Sequence, residues 1–368
     1  MPSSAELTTD RQLNRATLER QLLLRRASMP LSTAVEKLVG LQAQNPLDPY
    51  LALWSRLEGF DPDAMGRLVT ERSLVRITVM RGTIHLLTAD DALWLRPLTQ
   101  PVLTAELSRH RDFAPALAGV DLDPILDFAR PLLSVRPLSG PQLRAALAER
   151  FPALDPAALA YACRCLLPLV QAPPRGVWGK TRQVEVTTLD SWVEKPLDPA
   201  PSRTAMWLRY LAAFGPASVT DIANWSRLGG WRQVVEKTRP QLVTFRNERG
   251  TELFDLPDSP RPDPDTPAPV RFLPEYDNLL LGHADRSRFS GGQSFVGATR
   301  GIKGSVLVDG TGQAIWRFEG AKNHARTLVV EHWPLSKADL VAVEEEANNV
   351  GLFWQSGMGT SVEMKEIR

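Results

Sequence analysis

The chain has 368 residues, 43% hydrophobic and 23% charged, with a formal net charge of +1. This length predicts two or three domains, and the composition is that of an ordinary soluble globular protein. No apolar run is long enough to cross a bilayer, and the N-terminus "MPSSAELTTDRQLNRATLERQ" has no apolar signal-peptide core, so a cytoplasmic protein is expected. The near-zero net charge does not announce a nucleic-acid binder, and what matters is clustering. Residues 11–26 are basic and 341–349 acidic. Arginine outnumbers lysine, which suits phosphate recognition but equally reflects a GC-rich genome. Cys163 and Cys165 are too close for an ordinary disulfide and lack zinc partners, so buried free thiols are expected. The five histidines are scattered without metal spacing. Neither a metal nor a cofactor is expected.

In chain order, "LNRATLERQLLLRR" (13–26) predicts a helix by its leucine spacing. "MPLSTAVEKLVGLQAQ" (29–44) predicts a second, with Ser32 as N-cap, and 48–57 and 61–73 two more. "LVRITVMRGTIHLLTADD" (74–91) alternates with period two around Arg81-Gly82 and predicts a hairpin. The order then recurs. A helix at 123–134 is followed by a break at Pro137, a restart at Ser139, a helix over 154–170 and two strands with a Gly/Pro-rich tip over 171–190. Residues 204–242 predict further helices, followed by strands around 247–250. Helix, break, helix, turn, helix and hairpin is the order of a winged helix, whose usual work is DNA contact. The expected fold is therefore α+β, mostly α. Three tandem winged-helix motifs (11–119, 120–200, 201–256) form a concave DNA channel. A proline-rich linker (257–269) leads to a small barrel-like β domain (270–368) closed by a helix over 337–354.

The stretch "LQAQNP" (41–46) places Gln42 and Gln44 at the expected end of a helix. In a continuing helix they would point apart. Pro46 forces Asn45 out of the α region, so the helix should fray near residue 44. In extended chain the two carboxamides face the same side, each with an acceptor oxygen and a two-hydrogen donor. Two polar residues at a helix end are otherwise solvated or capping.

"LVGLQAQNPLDPYLALWSRL", "LVRITVMRGTIHLLTADDALWL" and "LPEYDNLLLGHADRSRF" together resemble the winged-helix DNA glycosylases of the AlkZ type, from about Leu13 to Trp354. The resemblance implies an enzyme that excises alkylated bases and unhooks interstrand crosslinks, with Gln42 and Gln44 as the catalytic pair. Part of that family carries Asp at the second position. This chain keeps Gln, which is similar to the branch associated with self-resistance to crosslinking genotoxins. Glycosidic cleavage passes through an oxocarbenium-like state. A cationic N7- or N3-alkylpurine leaves as a neutral base, so no general acid is required. Carboxamide oxygens can then orient a water and face the sugar with their negative end. Gln44 is expected to hold the water and Gln42 to support the sugar or the water's other side. No lysine lies near the motif, so a monofunctional enzyme is expected.

Other candidates carry two readings each. Arg81, Thr83 and His85 would share one strand face and line the channel, or merely face solvent. Arg175, Lys180 and Arg182 on the second wing would touch phosphate or the minor groove, or form an ordinary solvated loop, and Arg300 and Lys303 lie in a Gly-rich turn that lacks the P-loop ending and would serve as a DNA-probing hairpin. His283, Asp285, Arg286 and Arg288 in "HADRSRF" would contact phosphates or pin a loop. The expected partner is double-stranded DNA with alkylated or crosslinked purines, bound by a monomer. The alternatives are a non-catalytic DNA-binding regulator, which would normally be a symmetric dimer, and a protein that sequesters the drug, for which no feature argues.

Overall fold

The computed structural model describes residues 6–290, 304–320, 326–354 and 360–367. The chain opens with β1 (Glu6–Thr8) and α1 (Asp10–Arg20), the latter started by a capping box between Thr9 and Gln12. α2 (Leu31–Lys37) begins after Pro30 without any side-chain cap, so the expected Ser32 cap does not form and Ser32 lies inside the helix. Proline's fixed φ starts the turn instead. β2 (Leu41–Gln42), α3 (Asp48–Trp54) and α4 (Pro62–Thr70) lead to the hairpin β3 (Leu74–Thr78) and β4 (Ile84–Thr88). α5 (Ala89–Leu98) and α6 (Gln100–Arg109) follow.

The second set is α7 (Asp123–Val135), β5 (Leu138–Ser139), α8 (Gly140–Arg150), α9 (Pro156–Leu166), β6 (Leu169–Gln171) and β7 (Glu185–Thr188). Ser139 starts α8 with a capping box to Gln142, as its position after Pro137 predicted. The third is α10 (Arg203–Phe214), α11 (Val219–Ser226), α12 (Trp231–Thr238), β8 (Val243–Asn247) and β9 (Glu252–Asp255). The last region holds β10 (Arg271–Leu273), β11 (Gly304–Val308), β12 (Thr311–Glu319), β13 (Arg326–His332), α13 (Lys337–Trp354) and β14 (Thr360–Glu366). The class is α+β and rich in helix, as expected. Among the described residues no helix is long and apolar enough to cross a membrane.

The sheets are joined in ways the sequence did not announce. The first two hairpins merge into one six-stranded sheet of order β2-β4-β3-β6-β7-β5, because Arg76 and Ile77 of β3 pair with Gln171 and Val170 of β6. β1 adds in parallel to the third hairpin, β8 and β9. The C-terminal sheet runs β10-β11-β12-β13-β14. No described strand closes β14 onto β10, so the expected barrel is an open sheet covered by α13 through Val343, Ala347 and Val350. β14 follows α13 and pairs in parallel with β13, so α13 is a crossover rather than the end of the fold. Its sequence, "TSVEMKE", is nowhere fully buried, as suits an edge strand.

The two faces of the merged sheet set up the site. Ile77, His85 and Gln42 are aligned across three strands on one face. That face packs toward α10–α12, where Ile77 and Leu87 meet Trp207, Tyr210, Phe214 and Trp225 in one core. Arg76, Leu86 and Leu41 lie on the other face. There Leu41 and Leu86 join Tyr50, Met65 and Val177 beneath α2–α4. The two cysteines are buried and unpaired, as expected.

Candidate active site

α2 stops at Lys37, earlier than the sequence suggested. Val39 (φ 55°) and Gly40 (φ 82°) then turn the chain into β2. Asn278 Nδ2 fastens this turn by donating to the Leu38 and Gly40 carbonyls at 3.2 and 2.5 Å. β2 runs antiparallel to β4, with Leu41 opposite Leu86 and Gln42 opposite His85, and Ala43 N donates to Ile84 O at 2.7 Å. Extended chain thus replaces a fraying helix, and alternation sends Ala43 into the core while Gln42 and Gln44 take the other side. Gln42 is buried and Gln44 exposed. Gln44 Oε1 accepts from Ile84 N at 3.3 Å, which leaves that oxygen one lone pair.

The hairpin tip supplies the partner of Gln42. Arg81 has φ 58° and sits in a tight turn over Met80–Gly82, so it does not follow the strand alternation expected for positions 81, 83 and 85. Its guanidinium is bent inward instead. Nη1 donates to Trp225 O at 2.8 Å, and Nη2 reaches Gln42 Oε1 at 2.9 Å and His85 Nε2 at 3.1 Å. A guanidinium only donates. That settles two assignments. His85 Nε2 is the acceptor, so Nδ1 carries the hydrogen and donates to Thr83 O at 3.0 Å. Gln42 turns its oxygen to Arg81, so its NH2 faces away, and no described residue takes it up.

Charge follows geometry. Burial, then the nearby Arg81 cation, pushes His85 down to about 3, so the imidazole is neutral across the physiological range. Burial pushes Arg81 down to about 10, helped by the repulsion of Arg227 and Arg286, and it remains a cation at neutral pH. Thr83 is half-buried at the same tip, its hydroxyl donating to Met80 O at 3.1 Å.

Behind β2, on the opposite face, Arg76 is buried and donates to Ala43 O at 3.0 Å and to Gln171 Oε1 at 3.1 and 3.2 Å. It braces from below the residue that separates the two glutamines. Asp48 is buried close by, its Oδ2 without a hydrogen-bond partner. Burial, then Glu275 and Asp277, push its carboxyl up to about 7 against the pull of Arg76. Sequence reading missed both. The visible signal for Arg76 was a lone cation inside the apolar run "LVRIT".

The other predicted site residues divide by burial. His85, His283 and Arg288 are buried, which removes them from direct contact with DNA. His283 Nε2 lies 2.9 Å from Phe214 O, and Arg288 Nη1 donates to Pro216 O at 3.1 Å and Thr17 Oγ1 at 3.3 Å. They pin the segment to α1 and α10, the loop-pinning alternative. Burial, then Arg288, pushes His283 well below its ordinary value, so the imidazole is neutral at neutral pH. Asp285 is exposed and pairs with Arg249 at 3.0 Å. Arg286 is half-buried, and its charge adds to the repulsion acting on Arg81. Arg175 is half-buried on the loop between β6 and β7, whereas Lys180 and Arg182 are exposed and Arg182 lies 3.7 Å from Glu185. Arg300 and Lys303 lie outside the described residues. No cluster of potential metal ligands occurs among the described residues.

Comparison with known proteins bears on this geometry. The chain is 26% identical to an interstrand DNA cross-link repair glycosylase of Streptomyces sahachiroi over an alignment covering 92% of this chain and 95% of the relative. Its fold superimposes on the solved structure of the Streptomyces sahachiroi DNA glycosylase AlkZ with a TM-score of 0.78, at 22% identity, covering 98% of this chain and all of that one. The family profile described as DNA glycosylase AlkZ-like matches residues 35–353, a span that holds both glutamines, Arg81 and the Arg286 segment. The chain therefore belongs to the AlkZ-like DNA glycosylase family.

Proposed function

We propose that this chain is a monofunctional glycosylase that hydrolyses the N-glycosidic bond of cationic N7- and N3-alkylpurines in duplex DNA. Its range extends to interstrand crosslinks joined through such purines. Gln42 and Gln44 carry the reaction. The observation behind this reading is the contrast between the two carboxamides, which lie on one side of a short extended segment. Gln42 is locked by Arg81 with its oxygen turned inward, and Gln44 is exposed with acceptor capacity left. A water between them accepts from Gln42 Nε2–H and donates to Gln44 Oε1. Its remaining lone pair is free to attack the anomeric carbon. This refines the simpler picture in which either carbonyl faces the sugar, because the Gln42 oxygen is already engaged.

The leaving alkylpurine takes the bonding electrons and departs neutral, so no acid is needed, and the attacking water, once bonded to the anomeric carbon, gives up its proton to bulk solvent on the exposed Gln44 side. The neutral His85 and the guanidinium of Arg81 supply none. The relative's name, interstrand DNA cross-link repair glycosylase, supports the crosslink as a substrate class. A crosslinked base is tied to the other strand and cannot be flipped fully into a pocket, so an open channel suits it.

Release of free base from a duplex carrying N7-methylguanine tests the proposal. The native protein is expected to release it, and Gln42→Ala and Gln44→Ala are expected to lose release while still binding DNA. Undiminished activity in both variants would remove the glutamines from the mechanism. No release by the native protein from either the methylated or a crosslinked duplex would favour a non-catalytic DNA binder. Borohydride is expected to trap no protein–DNA adduct, and a trapped adduct would contradict the monofunctional assignment.

A further inference from the structure

Three arginines are carried by elements that meet around the hairpin tip, and one of them, Arg81, bonds to Gln42 Oε1 at 2.9 Å. Arg81 is the hairpin tip, tied to α11 by its 2.8 Å bond to Trp225 O. Arg227 follows Trp225 by two residues, at the left-handed C-cap of α11 (φ 61°), and is exposed. Arg286 lies two residues beyond Ala284, whose amide donates to Asp221 Oδ1 of α11 at 2.9 Å. That bond fixes the segment carrying Arg286 against the same short helix. Arg227 and Arg286 make no side-chain hydrogen bond or ion pair with a described residue.

Neighbouring carboxylates are spoken for or turned elsewhere. Asp221 caps its own helix through Ser218 and binds the Ala284 amide. Asp285 pairs with Arg249. Glu106 accepts from Tyr161 on the α6 side of the tip. The charges acting on Arg81 are those of Arg227 and Arg286, and both repel it. Such a cluster without an anion is unfavourable in the free protein. It also opposes positive charge on a sugar cleaved next to Gln42. A bound anion would relieve both.

We infer that Arg81, Arg227 and Arg286 form a seat for one DNA backbone phosphate flanking the damaged nucleotide. Planar guanidiniums match phosphate oxygens, and their approach from three elements fixes one phosphate rather than a smear along the strand. The phosphate positions the target sugar against the glutamine pair. It also cancels the local positive field where the oxocarbenium character develops. The inference deepens the glycosylase reading and rests on it for the meaning of the neighbouring nucleotide, whereas phosphate binding itself does not require catalysis.

The test measures affinity for an undamaged duplex against salt, for native protein and for the Arg227→Gln/Arg286→Gln double variant. Loss of one phosphate contact lowers the log–log slope by about 0.9, so between 50 and 200 mM salt the native protein should lose roughly three- to fourfold more affinity than the variant. Arg227→Lys should keep the slope. A second duplex carries a tetrahydrofuran abasic analogue with single methylphosphonates on either side. One position should weaken native binding and have no further effect on the double variant. An unchanged slope overturns the seat. So does a reduced slope with a methylphosphonate penalty undiminished at every position, which would put these arginines elsewhere on the DNA. Native protein that shows the slope difference but releases no base would leave the seat standing and remove the glycosylase reading.

Discussion

Because Arg81 can only donate, a single side chain dictates the tautomer of His85 and the direction of the Gln42 amide. Replacing it with methionine keeps the length and removes the donors. Gln42 is then free to flip, and Trp225 O loses its partner. We expect Arg81→Met to lower single-turnover base release by about 100-fold, in the range seen when a preorganised polar group is removed. Stability should fall by only ~1–3 kcal/mol from the groups left unpaired. Arg81→Lys should not rescue activity, since an ammonium lacks the planar fork that spans these acceptors. Full activity in the methionine variant would separate Arg81 from the glutamine pair. Asp48 gives a prediction in pH. Its folded pKa is raised from 3.8 to about 7, so the folded state holds the proton longer than the unfolded chain. The associated stability is complete below about pH 4 and is lost as pH rises through 7. Asp48→Asn removes this titration. Its melting temperature relative to the native protein should rise from pH 4 to about pH 7 and level off above it, by the equivalent of up to ~4 kcal/mol, the pull of Arg76 being already contained in the shift. A constant difference across that range would show that Asp48 ionises normally.

At the scale of the element, the glutamine pair depends on one glycine. At Gly40 a Cβ would collide with the Leu87 side chain and come within 3.0 Å of Leu86 O, and φ is 82°. Gly40→Ala should therefore push β2 off β4, costing about 1–3 kcal/mol in strain and removing base release, because both carboxamides move. Retained activity with lowered stability would mean that β2 tolerates the shift. The same turn explains what sequence could and could not reveal. The hairpin around Arg81-Gly82 was legible because β3 and β4 alternate and the glycine marks the turn. The helix expected to run to Gln44 was not. "VEKLVGLQAQ" keeps a helical apolar spacing, but two left-handed residues end the helix at Lys37 and Asn278, about 240 positions away, holds the turn. A contact of that range leaves no local trace. For the same reason Arg227 was passed over. Its neighbours "SRLGG" carry no local sign of a binding site, and its value lies in where α11 docks. Of the two roles open to "HADRSRF", sequence could not choose, since its polar residues carry no local sign that His283 is buried against Phe214 at the end of α10 and Arg288 beside it.

At the scale of the molecule, arginine works as a fastener between regions distant in sequence. Arg15, Arg20, Arg56, Arg76 and Arg96 are all fully buried. Arg20 forks onto Asp255 at 2.7 and 2.8 Å, joining α1 to β9, and Arg15 pairs with Asp309 of the C-terminal region. Arg56 forks onto Asp277 at 2.8 and 2.7 Å, with further bonds to the Gln21 and Ala52 carbonyls. Part of the arginine excess that suggested phosphate recognition is thus structural. Asp277 matters twice over, because it also caps the short helix that begins at Asn278, the residue that clamps the turn into β2. Asp277→Ala leaves the Arg56 cation buried against carbonyls alone, and loss of one partner from such a pair costs about 3–5 kcal/mol. The denaturant midpoint should fall accordingly, and base release should fall with it below the transition, because the Asn278 clamp loosens. Replacing the pair as a whole tells charge from packing. Arg56→Leu/Asp277→Leu removes the uncompensated cation and should regain at least half of the lost stability. It should not regain full activity, since the cap before Asn278 is still missing. A double variant as unstable as the single one would mean that the carbonyl contacts of Arg56, rather than its pairing with Asp277, hold these regions together.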